Sequence, residues 1–198
     1  MKIINCEQGS PEWFSARCGI PTASSFDKIL DTSGKPSKQL KKYLYQLAGE
    51  KITAKQEETY INGAMQRGKE MEGEARKFYE LTTSQKVVAV GFCLNETPDY
   101  GCSPDGLVDK EGTVEIKCPL MATHVGYLIE GVLPTDYFQQ VQGGLLVTGR
   151  KWCDFISYYP GMKPLVVRVI PDKDFHSKLK LEVEVFCMEL TDLIVKIK

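Results

Sequence analysis

Across 198 residues the chain has no C-x-x-C pair, and its seven cysteines (Cys6, Cys18, Cys93, Cys102, Cys118, Cys153, Cys187) are scattered and odd in number. That spacing suggests neither a zinc site nor a disulfide framework, and it suits a reducing compartment. An excess of positive charge is missing too, since 25 basic residues against 26 acidic ones give a net charge of −1. Counterion release rewards a basic surface, so any grip on nucleic-acid phosphates must come from a local patch. No apolar run approaches the roughly 18 residues of a membrane span, and Met1-Lys2-Ile3-Ile4-Asn5 leads into charged residues without an apolar signal core. A soluble, intracellular protein is expected. No internal repeat or low-complexity segment stands out. The length and 42% hydrophobic content suffice for one well-buried core, so 1–198 reads as a single domain.

Periodicity outlines a mixed sheet flanked by helices. Helices are expected from Pro21 or Thr22 to Leu30, from Ser37 to Thr53 with Ser37 as the cap, and from about Gly63 to Leu81. On the third, Met71, Ala75, Phe78 and Tyr79 form the buried face and Glu72 lies at its edge. Strands follow at Val87 to Leu94, near Tyr100 to Ser103, and in a hairpin around Lys110-Glu111-Gly112. Tyr137 to Leu146 reads as helix, Trp152 to Tyr159 and Leu165 to Ile170 as a β pair, and Asp174 to Ile197 as a closing helix. The order gives an α/β or mixed α+β core.

The chemistry concentrates in that hairpin. Val114 to Lys117 alternates as a strand does, so Glu115 and Lys117 face the same way, and the turn brings Asp105 back beside Glu115. Two carboxylates with a backbone carbonyl suit a hard cation such as Mg2+ and leave positions for water and a phosphate oxygen. Lys117 can orient or help deprotonate the water. Upstream, Arg17 and the hydroxyls of Thr22-Ala23-Ser24-Ser25 at a helix start make an anion site. The bland alternative is a helix cap and a surface ion pair. Lys35, Lys38, Lys41 and Lys42 are either a phosphate-binding patch or a solvated helix face, and Arg150 and Lys151 either line a channel or end a helix. Trp13 is expected to pack in the core and not to act as a stacking wedge, while His124 stays open between a ligand contact and the hydrogen-bonded support that a lone histidine more often is. The apolar loop from Gly126 to Pro134 flanks either a channel or a subunit contact.

Pro104-Asp105 followed by Glu115-x-Lys117 is similar to the PD-(D/E)xK pattern of a nuclease superfamily. Gly9-Ser10-Pro11-Glu12-Trp13-Phe14 with Arg17 to Ser24, Gly68 to Arg76, Cys102 to Leu107, Glu115 to Pro119, and Tyr137 to Gln142 together resemble, block by block, the lambda exonuclease and YqaJ-type viral recombinase family. The resemblance covers residues 9 to 160.

That resemblance implies a restriction-endonuclease-like core and a Mg2+-dependent 5′ to 3′ exonuclease, with Mn2+ able to substitute. It would degrade the 5′-phosphorylated strand of linear duplex DNA to mononucleotides and leave 3′ overhangs. It implies Asp105, Glu115, the Ile116 carbonyl and Glu72 as metal ligands and Lys117 as the catalytic lysine. Gln140 and Tyr137 fall near the site, and Arg17, Ser24, Thr22 and Ser103 on the terminal 5′-phosphate. Some related nucleases carry an iron–sulfur cluster; clustered cysteines are missing here, so none is expected. A homotrimeric ring, a single-strand annealing recombinase as partner, and the cytoplasm of a bacterial host, from a phage or prophage gene, are implied likewise. A site-specific or structure-specific endonuclease and a non-catalytic DNA-end-binding module remain open as alternatives.

Overall fold

The computed structural model describes residues 1–56, 63–97 and 99–198. Strand β1 (Lys2–Ile4) leads to helix α1 (Pro11–Arg17), where the Ser10 side chain accepts the Trp13 N–H and Pro11 opens the first turn. A 3-10 turn (Ala23–Lys28) precedes α2 (Leu40–Thr53) and α3 (Gly63–Thr83). Next come the strands β2 (Val87–Val88), β3 (Phe92–Leu94), β4 (Gly101–Cys102), β5 (Gly106–Val108) and β6 (Gly112–Lys117). Helices α4 (Met121–Glu130) and α5 (Phe138–Thr148) lead to β7 (Trp152–Ser157), β8 (Leu165–Val169) and α6 (Lys173–Ile197), capped by Asp172.

The strands form two sheets, an antiparallel β1-β3-β4 and a mixed β2-β5-β6-β7-β8. Only β6 and β7 run parallel in the larger one, which requires a crossover, and α4 and α5 supply it. Both central strands are buried nearly throughout, so their residues alternate between two helical layers. Val114, Ile116 and Ile156 pack with Ala75 and Tyr79 of α3. Cys153 and Phe155 pack with Val141 and Leu145 of α5. A further cluster joins the 3-10 turn, α2 and α6 to Cys93 and Cys102 of the small sheet. The seven cysteines are free thiols.

The expected elements appear with informative shifts. The segment after Pro21 is a 3-10 turn, with Thr22 bridged to Gly101 beside β4. Helix α2 begins at Leu40, and Ser37 holds the Gln39 N–H in the turn before it, so Ser37 is not the cap. The Val87–Leu94 run divides, β2 joining one sheet and β3 the other. Phe78, expected in the core, is exposed at the edge of α3, tilted against Tyr158. Gly126 to Glu130, read as loop, belongs to α4, which a left-handed Gly131 ends.

Two buried polar groups tie layers together. Asp154 accepts the Tyr79 hydroxyl at 2.7 Å and both arms of Arg168 at 2.8 Å, joining α3 to β7 and β8. His124, fully buried, bonds Ser157 Oγ at 2.8 Å and the Lys163 carbonyl at 3.0 Å, which resolves the two readings in favour of a support, linking α4 to β7 and to the segment before β8. His124→Ala is expected to leave both partners unpaired and to lower stability by about 1–3 kcal/mol. A chemical-denaturation midpoint measures this.

Candidate active site

The β5–β6 hairpin delivers the acidic pair. Gly106 pairs with Val114, and the Asp105 N–H donates to the Val114 carbonyl at 3.2 Å. A Cβ on Gly106 would run into the Val87 side chain, so only glycine lets β2 close against the hairpin here. Asp105 Oδ2 accepts the Ile116 N–H at 2.5 Å, which fixes the carboxylate beside Glu115. Glu115, buried on β6, accepts Lys117 Nζ at 2.6 Å and Gln140 Nε2 at 2.5 Å through Oε1. Lys117 Nζ lies 5.1 Å from the Tyr137 ring centre, and that ring rests on Phe155. Residues separated by up to 35 positions thus converge because α5 folds back across β6.

The electrostatics of this cluster are unbalanced. Burial, then the neighbouring Glu115, pushes the Asp105 carboxyl well above its usual range. Burial alone would lower Lys117, but Glu115 and Asp105 outweigh it, so the ammonium is held more firmly than a free lysine and acts as a donor. A buried and a half-buried carboxylate around one ammonium leave a negative excess made of hard oxygen donors. That donor set fits a hard divalent cation. Glu72, from α3, is engaged by Arg76 at 2.7 Å, and Arg76 also donates to the Asp105 carbonyl at 2.9 Å. Among the described residues no group of three acidic, histidine or cysteine side chains converges on a single point.

The residues expected to hold an anion also come together. Arg17 donates to Ser103 Oγ at 3.0 Å and Thr22 Oγ1 at 3.4 Å, and Thr22 Oγ1 lies 3.3 Å from Ser24 Oγ. Thr22 spends no hydroxyl on capping. Among the described residues Arg17 makes no ion pair, so its guanidinium meets only neutral oxygens. Burial lowers its pKa, and Arg remains charged at any ordinary pH.

Trp13 does not pack in the core. Its indole lies 4.1 Å beneath the Arg17 guanidinium and its Nε1 donates to Ser103 Oγ at 2.9 Å, so it is the shelf that orients both. The four-residue separation of Trp13 and Arg17 on a helix was the signal for this contact. Sequence reasoning also passed over Gln8, whose Nε2 donates to the Val90 and Pro104 carbonyls, and over buried Glu50, which accepts the Gly19 N–H at 3.1 Å and closes the turn after α1.

Members of both groups line two cavities that share Arg17 and Ser24. A cleft of about 1020 Å³ is lined by Arg17, Ser24, Glu72, Arg76 and Asp105. A smaller cavity of about 180 Å³ joins Arg17, Ser24 and Ser103 to Glu115 and Gln140. The lysines lining the larger cleft are Lys28 and Lys69, while Lys35, Lys38, Lys41 and Lys42 lie exposed away from it. Arg150 ties off the hairpin by donating to the Val108, Asp109 and Gly112 carbonyls, and Lys151 pairs with Glu111.

Residues 12–151 match the YqaJ-like viral recombinase domain. No curated protein matches the chain by sequence. Among solved structures, an alkaline exonuclease (LHK-Exo) from Laribacter hongkongensis is 35% identical, with a TM-score of 0.87 over 95% of this chain and 96% of that one. The same enzyme in complex with dAMP gives 35% identity and a TM-score of 0.86, covering 96% of each chain. A phage-related exonuclease from Haemophilus somnus 129PT shares the fold at 16% identity and a TM-score of 0.68, over 90% of this chain and 96% of that one.

Proposed function

The chain belongs to the YqaJ-like viral recombinase family, a family of nucleases acting on DNA, and from that premise we propose a Mg2+-dependent 5′ to 3′ exonuclease on linear duplex DNA. The observation that carries the reading is an unpaired guanidinium among hydroxyls that lines two cavities, one reaching Asp105 and Glu72 and the other reaching Glu115, whose partner is Lys117. A terminal 5′-phosphate rests on Arg17, Thr22, Ser24 and Ser103. The next phosphodiester lies at Asp105 and Glu115. The product is a 5′-mononucleotide, and the dAMP complex of the similar Laribacter enzyme supports a ligand of that size. The remaining strand is a 3′ overhang, the substrate of a single-strand annealing recombinase.

Asp105, Glu115 and the Ile116 carbonyl would hold the cation, with Glu72 joining them on leaving Arg76. When bound, the ion would supply Lewis acidity to the oxygens of the scissile phosphate. Lys117 donates to the scissile phosphate or to the attacking water and steadies its position. Gln140 holds Glu115 in place, and Tyr137 bounds the space around Lys117. Mn2+, also a hard ion, is expected to substitute. We place the enzyme in the cytoplasm of a bacterial host, encoded by a phage or prophage and assembled as a homotrimeric ring. Among the described residues no helix is long and apolar enough to cross a membrane.

Linear duplex labelled at either end, incubated with and without Mg2+ beside a closed circle, tests the reading. Metal-dependent loss from 5′-phosphorylated ends with the circle intact is expected. Cutting of the circle would show an endonuclease, and no cutting of either would show a binding module. Arg17→Ala is expected to slow digestion of 5′-phosphorylated ends by about 10- to 100-fold while leaving 5′-hydroxyl ends nearly unaffected, since a charge-assisted contact is lost. Equal slowing on both ends would mean that Arg17 serves only the fold.

A further inference from the structure

We propose that Phe14 is the platform on which the base of the 5′-terminal nucleotide stacks, an inference that rests on Arg17 holding that nucleotide's phosphate. Phe14 is 46% exposed, a large aromatic left uncovered on α1, and it lines the same cleft as Arg17 and Asp105. Among the described residues, the other aromatic side chains lining the cleft are committed elsewhere. Trp13 carries Arg17, and Tyr43 is buried with its hydroxyl receiving the Thr22 N–H.

The placement is specific. Residues 14 and 17 are neighbours one turn apart on a helix, so the Phe14 ring and the Arg17 guanidinium occupy adjacent positions on the wall of the cleft. The ring is also held in place. It meets Trp13 edge to face, with centroids 5.0 Å apart at 77°, and Trp13 is itself pinned through its Nε1 to Ser103. A nucleotide presents an anion and, across one sugar, an apolar π face. The wall of α1 presents a guanidinium and, one turn away, a bare aromatic face. Stacking accepts every base, which suits an activity that must pass through any sequence.

Equilibrium binding of a 5′-phosphorylated hairpin duplex, without added metal, to the wild-type protein and to Phe14 variants tests this, with the terminal nucleotide either intact or abasic. Wild type is expected to bind the intact end on the order of tenfold more tightly than the abasic end. Phe14→Ala should lose that advantage on the intact end and bind both ends alike. Phe14→Trp should restore the preference and Phe14→Leu should not. A Phe14→Ala variant that keeps the preference for the intact end overturns the proposal. So does equal weakening on both ends, which with an altered sedimentation coefficient would place Phe14 at a subunit contact. Failure of the phosphate reading shows separately, as wild-type protein indifferent to a 5′-phosphate against a 5′-hydroxyl.

Discussion

Lys117→Ala is expected to lower the rate of DNA hydrolysis by about 10³-fold, the size of a lost proton donor at a reacting centre. Divalent-metal and DNA binding should stay close to wild type. The amine lies 2.6 Å from Glu115 and its proton is held by both acidic neighbours, so the role proposed for it is to donate and not to ligate. Its removal leaves Glu115 with Gln140 and increases the negative excess around Asp105, a change that does not weaken attraction for a cation. Asp105→Asn should differ, losing activity and metal affinity together. Single-turnover rates set beside calorimetric Mn2+ titrations separate the two patterns. Loss of metal binding in Lys117→Ala would contradict the role given to the amine.

The largest expected loss of stability comes from Asp154→Ala. Deletion of the carboxylate strands the Tyr79 hydroxyl between α3 and β7, and a buried donor without a partner costs about 1–3 kcal/mol. Arg168 loses a bidentate partner as well, but its side chain is 54% exposed and water takes up much of that loss. A total of about 2–3 kcal/mol corresponds to a fall in Tm of roughly 5–10 °C for a chain of this size. Tyr79→Phe removes only the donor and leaves the Arg168 pair intact, so it should cost about 1 kcal/mol. Thermal melts of the two variants distinguish a network centred on Asp154 from simple packing. If Tyr79→Phe proved as damaging as Asp154→Ala, the ion pair would contribute nothing.

The parts of this molecule readable in the sequence are those in which local pattern and tertiary role coincide. The hairpin register that sets Asp105 beside Glu115 follows from strand alternation and turn residues, and the face of α3 bearing Ala75 and Tyr79 follows from helical spacing. Two sheets were not readable, because Val87 to Leu94 has the same alternation whether its halves join one sheet or two. The division falls at Gly91, where a Cβ would meet Cys6 and Ile4 carbonyl oxygens at 2.5 and 2.6 Å. Helix α4 was hidden because Met121, Val125 and Ile129 give it an exposed apolar face with no polar alternation to mark it. At the site, Arg17 was recognisable by residue type. Its dependence on Trp13 and Ser103, the latter 86 positions away, required the small sheet to be in place.

Ser103 and Asp105 stand on either side of Pro104, in the link that carries the chain from β4 of one sheet to β5 of the other. Their Cα atoms cannot be more than about 7 Å apart, whatever the rest of the protein does. The proline, with its fixed φ, stiffens the link further. If one residue marks the end of the strand and the other the point of scission, the interval between them is a ruler graduated in covalent bonds. Loosening of either sheet would then slow the enzyme without changing its stride, and fragment length should stay constant across temperature, salt and destabilising mutation.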